Sequence, residues 1–217
     1  MIIFEGETEE RSLPVFARAY WNCEPDSLGI SLVSASGSGN ILPFVQFAQG
    51  INIPWVELSD GDPAGQVTVS SICGKIPEGK TDGTQPNLFV LPGQANFEEY
   101  LCPGYEAEIA NAVDEIEEIP GYIENEYIRK RHGQKKKGKK EPPELRDYKS
   151  EGGFQQAVLD YLLENKVKVA QPVAEAIVGL PKPRNIPDVL LQLFKRVDEL
   201  LNRAPKAKEA EHAVQTD

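Results

Sequence analysis

Histidine is nearly absent from this chain: among 217 residues there are only His132, in a lysine tract, and His212, in a polar tail. Histidine-based acid/base or triad chemistry therefore has little to build on, and carboxylates must carry any catalysis. Cysteine is scarce too. Cys23, Cys73 and Cys102 stand singly with no Cys-x-x-Cys pair, which excludes a disulfide framework and a zinc knuckle and predicts reduced, partly buried thiols. No apolar stretch approaches the roughly 20 residues of a membrane span. The N-terminus lacks the basic start and long apolar core of a signal peptide, so a cytoplasmic protein with no membrane partner is expected. No Gly-x-x-x-x-Gly-Lys-Ser/Thr loop is present, and ATP hydrolysis is not expected.

What the chain has in excess is acid, unevenly spread. The formal net charge is −11, yet residues 129–149 hold ten Lys and Arg against three acids, leaving −18 on the remainder. An acidic body repels a polyanion, so a nucleic-acid partner needs a local basic arm and metal ions to offset the repulsion. Lys135, Lys136, Lys137, Lys139 and Lys140 form such an arm. The alternative is a solvated, self-repelling loop.

At 40% hydrophobic the chain can bury a real core, in one domain with an elaboration or in two small ones. Ile2–Phe4, Gly29–Ala35, Ile53–Leu58 and Asn87–Leu91 read as strands, and Glu9–Trp21, Ile41–Gln49 and Ala64–Cys73 as helices between them. Such alternation means a mostly parallel sheet, an α/β fold. Pro14 suits a first helix that starts near Ser12 or Leu13, because proline fits the first turn. The segment Ser34–Asn40 reads as a flexible turn, with a phosphate contact as the alternative. Residues 105–121 read as an acidic helix and 122–149 as a basic helix and loop. Phe154–Glu164, Val169–Val178 and Pro187–Asn202 carry apolar residues at helical spacing, before a frayed tail.

Two short apolar runs end in carboxylates. Ile2-Ile3-Phe4 leads into Glu5-Gly6-Glu7-Thr8-Glu9, and Val56-Glu57-Leu58 into Ser59-Asp60-Gly61-Asp62. In an open α/β sheet, ligands bind at the carboxyl ends of the strands. Carboxylates gathered there cannot all stay ionised without a cation, so a divalent-metal site of oxygen ligands is the economical expectation.

These motifs resemble the TOPRIM fold shared by topoisomerases, primases, small ribonucleases and the overcoming-lysogenization-defect (OLD) nucleases. The order Glu-Gly-x-Thr-Glu, Leu13-Pro14, Ser59-Asp60-Gly61-Asp62-Pro63-Ala64-Gly65 and Phe89-Val90-Leu91-Pro92-Gly93 is most similar to the OLD branch. The resemblance implies a TOPRIM (Rossmann-like) catalytic core over residues 1–104, a helical insertion with a basic loop over 105–153, C-terminal helices completing the core over 154–204, and a disordered tail over 205–217. It also implies an ABC-type ATPase domain as partner in a full-length protein, absent from this chain.

On the resemblance and the motifs together, Glu5 and Asp60 are expected as inner-sphere metal ligands, Asp62 as a further carboxylate on the same side, and Glu9 as ligand or base from the first turn of its helix. Glu7 and Glu10 are expected to point elsewhere. The resemblance places another acid at Glu98, with Glu99 as the alternative, and a catalytic lysine at Lys166 or Lys168. Two Mg²⁺ or Mn²⁺ ions about 3.5–4 Å apart, with Ca²⁺ as a non-productive substitute, would hydrolyse DNA with little sequence preference. A symmetric homodimer would cut both strands. The competing readings are another TOPRIM enzyme, such as a structured-RNA ribonuclease, and a non-catalytic DNA-binding module; a small-molecule phosphatase has no use for the basic arm.

Overall fold

The computed structural model describes residues 1–76, 85–129, 148 and 152–202. Its centre is a four-stranded, wholly parallel sheet of β1 (Ile2–Phe4), β2 (Leu32–Ser34), β3 (Val56–Ser59) and β4 (Leu88–Val90), in the order β2-β1-β3-β4. The two middle strands are buried along their whole length, as expected of parallel strands covered on both faces. The chain first steps outward from β1 to β2, then crosses to β3 and continues to β4. The direction of winding therefore reverses between β1 and β3, and the crevice beyond their carboxyl ends is the topological switch point of the sheet.

Alternation along the strands splits the core in two. Ile2, Phe4, Val56 and Leu58 face a large cluster shared with α1 (Glu7–Trp21), while Ile3 faces a smaller one with α2 (Ile41–Gly50) and α3 (Pro63–Lys75). Beyond β4 come α4 (Phe97–Leu101), α5 (Glu106–Glu117), α6 (Gly153–Glu164), α7 (Lys166–Val178) and α8 (Asp188–Leu200). Phe97, Val113, Val158, Val173 and Phe194 from these helices join the larger cluster, so the late helices are bedded in the same core as the sheet.

The strands and helices fall near where the sequence patterns put them, with shifted ends: the third strand is Val56–Ser59 rather than Ile53–Leu58, the acidic helix stops at Glu117, and the turn after β2 closes in a 3-10 helix at Ser38–Asn40. α1 begins at Glu7, not near Ser12 or Leu13, and runs through Pro14. The proline removes a backbone donor inside the helix. Leu13, Val15, Phe16 and Ala17 around it are all buried in the larger core, and that packing holds the helix despite the lost bond. Pro172 lies inside α7 in the same way. Of the expected basic helix and loop, the described part runs through a π-helical turn at Ile123–Tyr127 to Arg129. Lys135, Lys136, Lys137, Lys139 and Lys140 lie outside the described residues, as does the tail from residue 203. Among the described residues no helix is long and apolar enough to cross a membrane.

Candidate active site at the carboxyl end of the sheet

Glu5 follows the last residue of β1 and Asp60 the last residue of β3, which brings both to the switch point. Glu9 comes from the first turn of α1 and is only 5% exposed. Asp62 caps α3, its Oδ1 accepting the Gly65 amide at 2.8 Å, and is half-buried, so one of its oxygens is spent on the helix. Two glycines make the turn between them possible. A Cβ on Gly61 would stand 2.1 Å from the Leu91 carbonyl oxygen, and one on Gly65 2.0 Å from the Asp60 carbonyl oxygen. The Asp60–Asp62 turn is therefore pressed against the segment after β4, and the Gly61 amide donates to the Ala95 carbonyl at 2.8 Å.

That contact delivers α4. Asn96 caps it in a capping box, accepting from the Glu99 amide while the Glu99 carboxylate accepts from the Asn96 amide. Glu99 is thereby committed to the helix end. Glu98 points inward, 4% exposed, with Oε1 accepting from Thr8 Oγ1 at 2.5 Å and Oε2 from Lys166 Nζ at 2.9 Å. Lys166 opens α7 and brings a cation to the acids. Lys168, two residues on, pairs instead with Glu117 of α5 at 2.6 Å, a different neighbourhood. Glu7 and Glu10 are exposed on the opposite side of α1, where with Arg11, Arg18, Val167 and Gln171 they line a groove of about 450 Å³ between α1 and α7.

The electrostatics of the acids follow from this crowding. Burial, then the charges of Asp60, Glu98 and Glu5, pushes the Glu9 carboxyl up to about 8. Asp60 is pushed up to about 7, first by burial and then by Glu5, Asp62 and Glu98, with Lys166 opposing. Asp60 Oδ1 is buried without a hydrogen-bond partner among the described residues. As placed, no three His, Cys, Asp or Glu side chains of the described residues form a ready-made metal cluster. Glu98 is turned to Thr8 and Lys166, and Asp62 partly to its cap. The donor set nevertheless fits a hard divalent cation: the residues are all oxygen donors, mutually repelling, and one oxygen is buried and unengaged.

Two buried polar residues near these acids escaped the sequence patterns. Thr8 positions Glu98 across 90 residues of chain. Glu57, read as part of an apolar run, is 0% exposed in the middle of β3 and bonded to Ser59 Oγ. A charged residue inside a buried strand was the available signal for it.

Residues 1–62 match the family model described as overcoming lysogenization defect protein-like, TOPRIM domain. That segment is similar to an OLD-like TOPRIM domain. The matched segment ends at Asp62, so it takes in Glu5, Glu9, Asp60 and Asp62, while Glu98 and Lys166 reach the TOPRIM site from beyond it. The whole fold is similar to solved C-terminal regions of OLD proteins. Against that of Xanthomonas campestris pv. campestris the TM-score is 0.60 at 19% identity, covering 93% of this chain and 95% of the other. Against that of Burkholderia pseudomallei it is 0.57 at 20% identity, covering 92% and 97%. No curated protein matches the chain. The fold class is thus α/β, a TOPRIM parallel sheet flanked by helices.

Proposed function

We propose that this TOPRIM module is a metal-dependent nuclease that hydrolyses phosphodiester bonds in DNA. The observation that carries the reading is the meeting of Glu5, Glu9, Asp60, Asp62 and Glu98 at the switch point, with Asp60 Oδ1 buried and unengaged and Lys166 beside them. Carboxylates in such proximity repel a phosphate and each other, so their grouping makes chemical sense with cations between them. The likeness to a TOPRIM domain supports the same view.

Glu5, Asp60 and the free oxygen of Asp62 would hold two Mg²⁺ or Mn²⁺ ions, with Glu9 and Glu98 completing the shell. When bound, such ions lower the pKa of an attacking water and stabilise the charge on the leaving 3′-oxygen. The side chains have separate tasks. Thr8 and Lys166 fix the two oxygens of Glu98. Lys166 exchanges Glu98 for the phosphate when substrate arrives, placing positive charge where the transition state builds negative charge. Glu9, near 8, holds a proton at neutral pH in the absence of a cation and gives it up as a cation binds. DNA is preferred to a small phosphate ester because residues 129–149 concentrate ten of the chain's Lys and Arg, an extended basic arm matched to a polyanion.

The test is supercoiled plasmid incubated with the protein in EDTA, Mg²⁺, Mn²⁺ or Ca²⁺, beside Asp60→Ala and a matched structured RNA. Nicking or linearisation that needs Mg²⁺ or Mn²⁺ and disappears in Asp60→Ala is expected. Cleavage confined to the RNA would move the assignment to a ribonuclease, and metal-independent DNA binding without cleavage to a binding module.

A further inference from the structure

Glu57 is a buried acid for which the reaction above has no use. It lies in the middle of β3, level with Ile3 of β1 and Leu88 of β4. Its side chain projects to the α2/α3 face, among Ile3, Ile41, Val45 and Ile72. It is 0% exposed, and Oε2 has no hydrogen-bond partner among the described residues. Oε1 is bonded to Ser59 Oγ, which is also 0% exposed. A charged carboxylate with one oxygen unengaged in such surroundings is strongly disfavoured, so the group keeps its proton. Burial above all pushes it up to about 8, with Glu5 and Asp60 adding to the shift.

The register gives this pair a direction. Phe4, the last residue of β1, is level with Leu58; carried one residue beyond the strand, the same register sets Glu5 beside Ser59, and the two-residue alternation turns both toward the same face. Glu57, Ser59 and Glu5 therefore form a row from the apolar interior of the sheet to the acidic site. A serine hydroxyl has one hydrogen and two lone pairs. When Glu57 is charged, Ser59 donates to it; when Glu57 is neutral, its O–H is the stronger donor and the Ser59 hydrogen is released toward Glu5.

We infer that Glu57, as a neutral carboxyl, is a positioning residue of the metal site, acting through the Ser59 hydroxyl to orient the Glu5 carboxylate for cation binding. The inference rests on the metal-binding reading proposed above. It accounts for why a residue so unfavourable to the core occupies the central strand: a leucine there would pack better against Ile3 and Ile72, but would leave the Ser59 hydrogen without direction.

Calorimetric titration of the metal-stripped protein with Mn²⁺, combined with thermal melts in EDTA, tests this in the full chain. Glu57→Leu and Ser59→Ala should each weaken Mn²⁺ binding about 10-fold or more, the range found when a group orienting a metal ligand is lost. Glu57→Gln supplies an N–H in place of the carboxyl O–H and should keep Mn²⁺ affinity within about 3-fold of the parent. The double variant Glu57→Leu/Ser59→Ala should bind no more weakly than either single one, because both cut one chain. Glu57→Leu should melt no lower than the parent. Parental Mn²⁺ affinity in Glu57→Leu or Ser59→Ala overturns the inference and leaves the nuclease reading intact, as does equal weakening by Gln and Leu. A parent chain that binds no Mn²⁺ overturns both together.

Discussion

The two ends of α1 each bury a carboxylate, and they treat it in opposite ways. At the C-terminal end, Tyr20 and Trp21 donate to Asp198 of α8 at 2.9 and 3.0 Å, and the acid is 4% exposed. Both donors are neutral, and the Tyr20 phenol is held above its ordinary value, by burial first and by Asp198 second. At the N-terminal end Glu9, equally buried, faces Asp60, Glu98 and Glu5, all acids. One end converts a buried charge into a joint between helices. The other crowds acids that relieve one another by holding protons until a cation joins them, and the unengaged Oδ1 of Asp60 lies there. On the proposed function, stability and catalysis lie at opposite ends of one helix, and the difference can be tested from either side.

The largest effect is expected at the N-terminal end. Asp60→Ala should lower cleavage of plasmid DNA at least ~100-fold, in line with the loss of a group that stabilises transition-state charge. In EDTA the same variant should melt at the parent temperature or above, because it removes a buried oxygen without a partner and one source of repulsion for Glu9. A variant that loses activity by unfolding would contradict the contrast.

Acid titration sharpens it next. Glu9 near 8 and Asp60 near 7 hold protons that the unfolded chain has released above about pH 4.5. With more protons bound in the native state, stability falls as pH rises through this window, by up to about 1.4 kcal/mol per pH unit for each proton held. Melting temperature in EDTA should therefore decline from pH 5.5 to 8.5, and Mn²⁺ should flatten or reverse the slope, since cation binding displaces the protons. A flat profile in EDTA would mean that the acids do not repel one another as described. Asp198→Ala comes third. It should cost about 2–4 kcal/mol by removing the acceptor shared by the Tyr20 and Trp21 donors, while cleavage per folded molecule stays at the parental level. A chemical-denaturation curve beside the plasmid assay separates the two.

How far the sequence revealed these ends differs for physical reasons. Ile2-Ile3-Phe4 and Val56-Glu57-Leu58-Ser59 were readable as strands because a parallel strand buried on both faces is apolar almost throughout, and the carboxylates just past them followed. Pro14 misled, because a local rule about prolines ignores the packing of Leu13, Val15 and Phe16 that keeps α1 continuous through it. The choice between Glu98 and Glu99 was in principle legible: Asn96 three residues before Glu99 is a capping-box spacing, which commits Glu99 and frees Glu98. Thr8 and Asp198 depend on contacts across 90 and 178 residues, and no local pattern announces those.

The smallest expected effect discriminates between two lysines, of which the resemblance favoured Lys166 without excluding Lys168. Lys166 and Lys168 begin the same helix, but two residues apart in one turn they point to different sides of α7 and so to different acids. Lys166 reaches Glu98, whose side chain is 5% exposed, whereas Lys168 reaches Glu117, whose side chain is 22% exposed and is also bonded by Tyr161. Lys168 is itself half exposed, and an ion pair of that kind contributes about 0–1 kcal/mol. Removing it leaves Glu117 with the Tyr161 hydroxyl and with access to water, so neither partner becomes a buried, unpaired charge. Lys168→Ala should therefore shift the denaturation midpoint only marginally and leave cleavage unchanged, while Lys166→Ala, assayed beside it, should lose cleavage per folded molecule and also lower the midpoint, because it leaves the buried Glu98 with Thr8 alone. If Lys168→Ala were the variant that lost cleavage, the catalytic cation would belong to the α5 side of the helix, and the acidic end of α1 would not be where the phosphate is held.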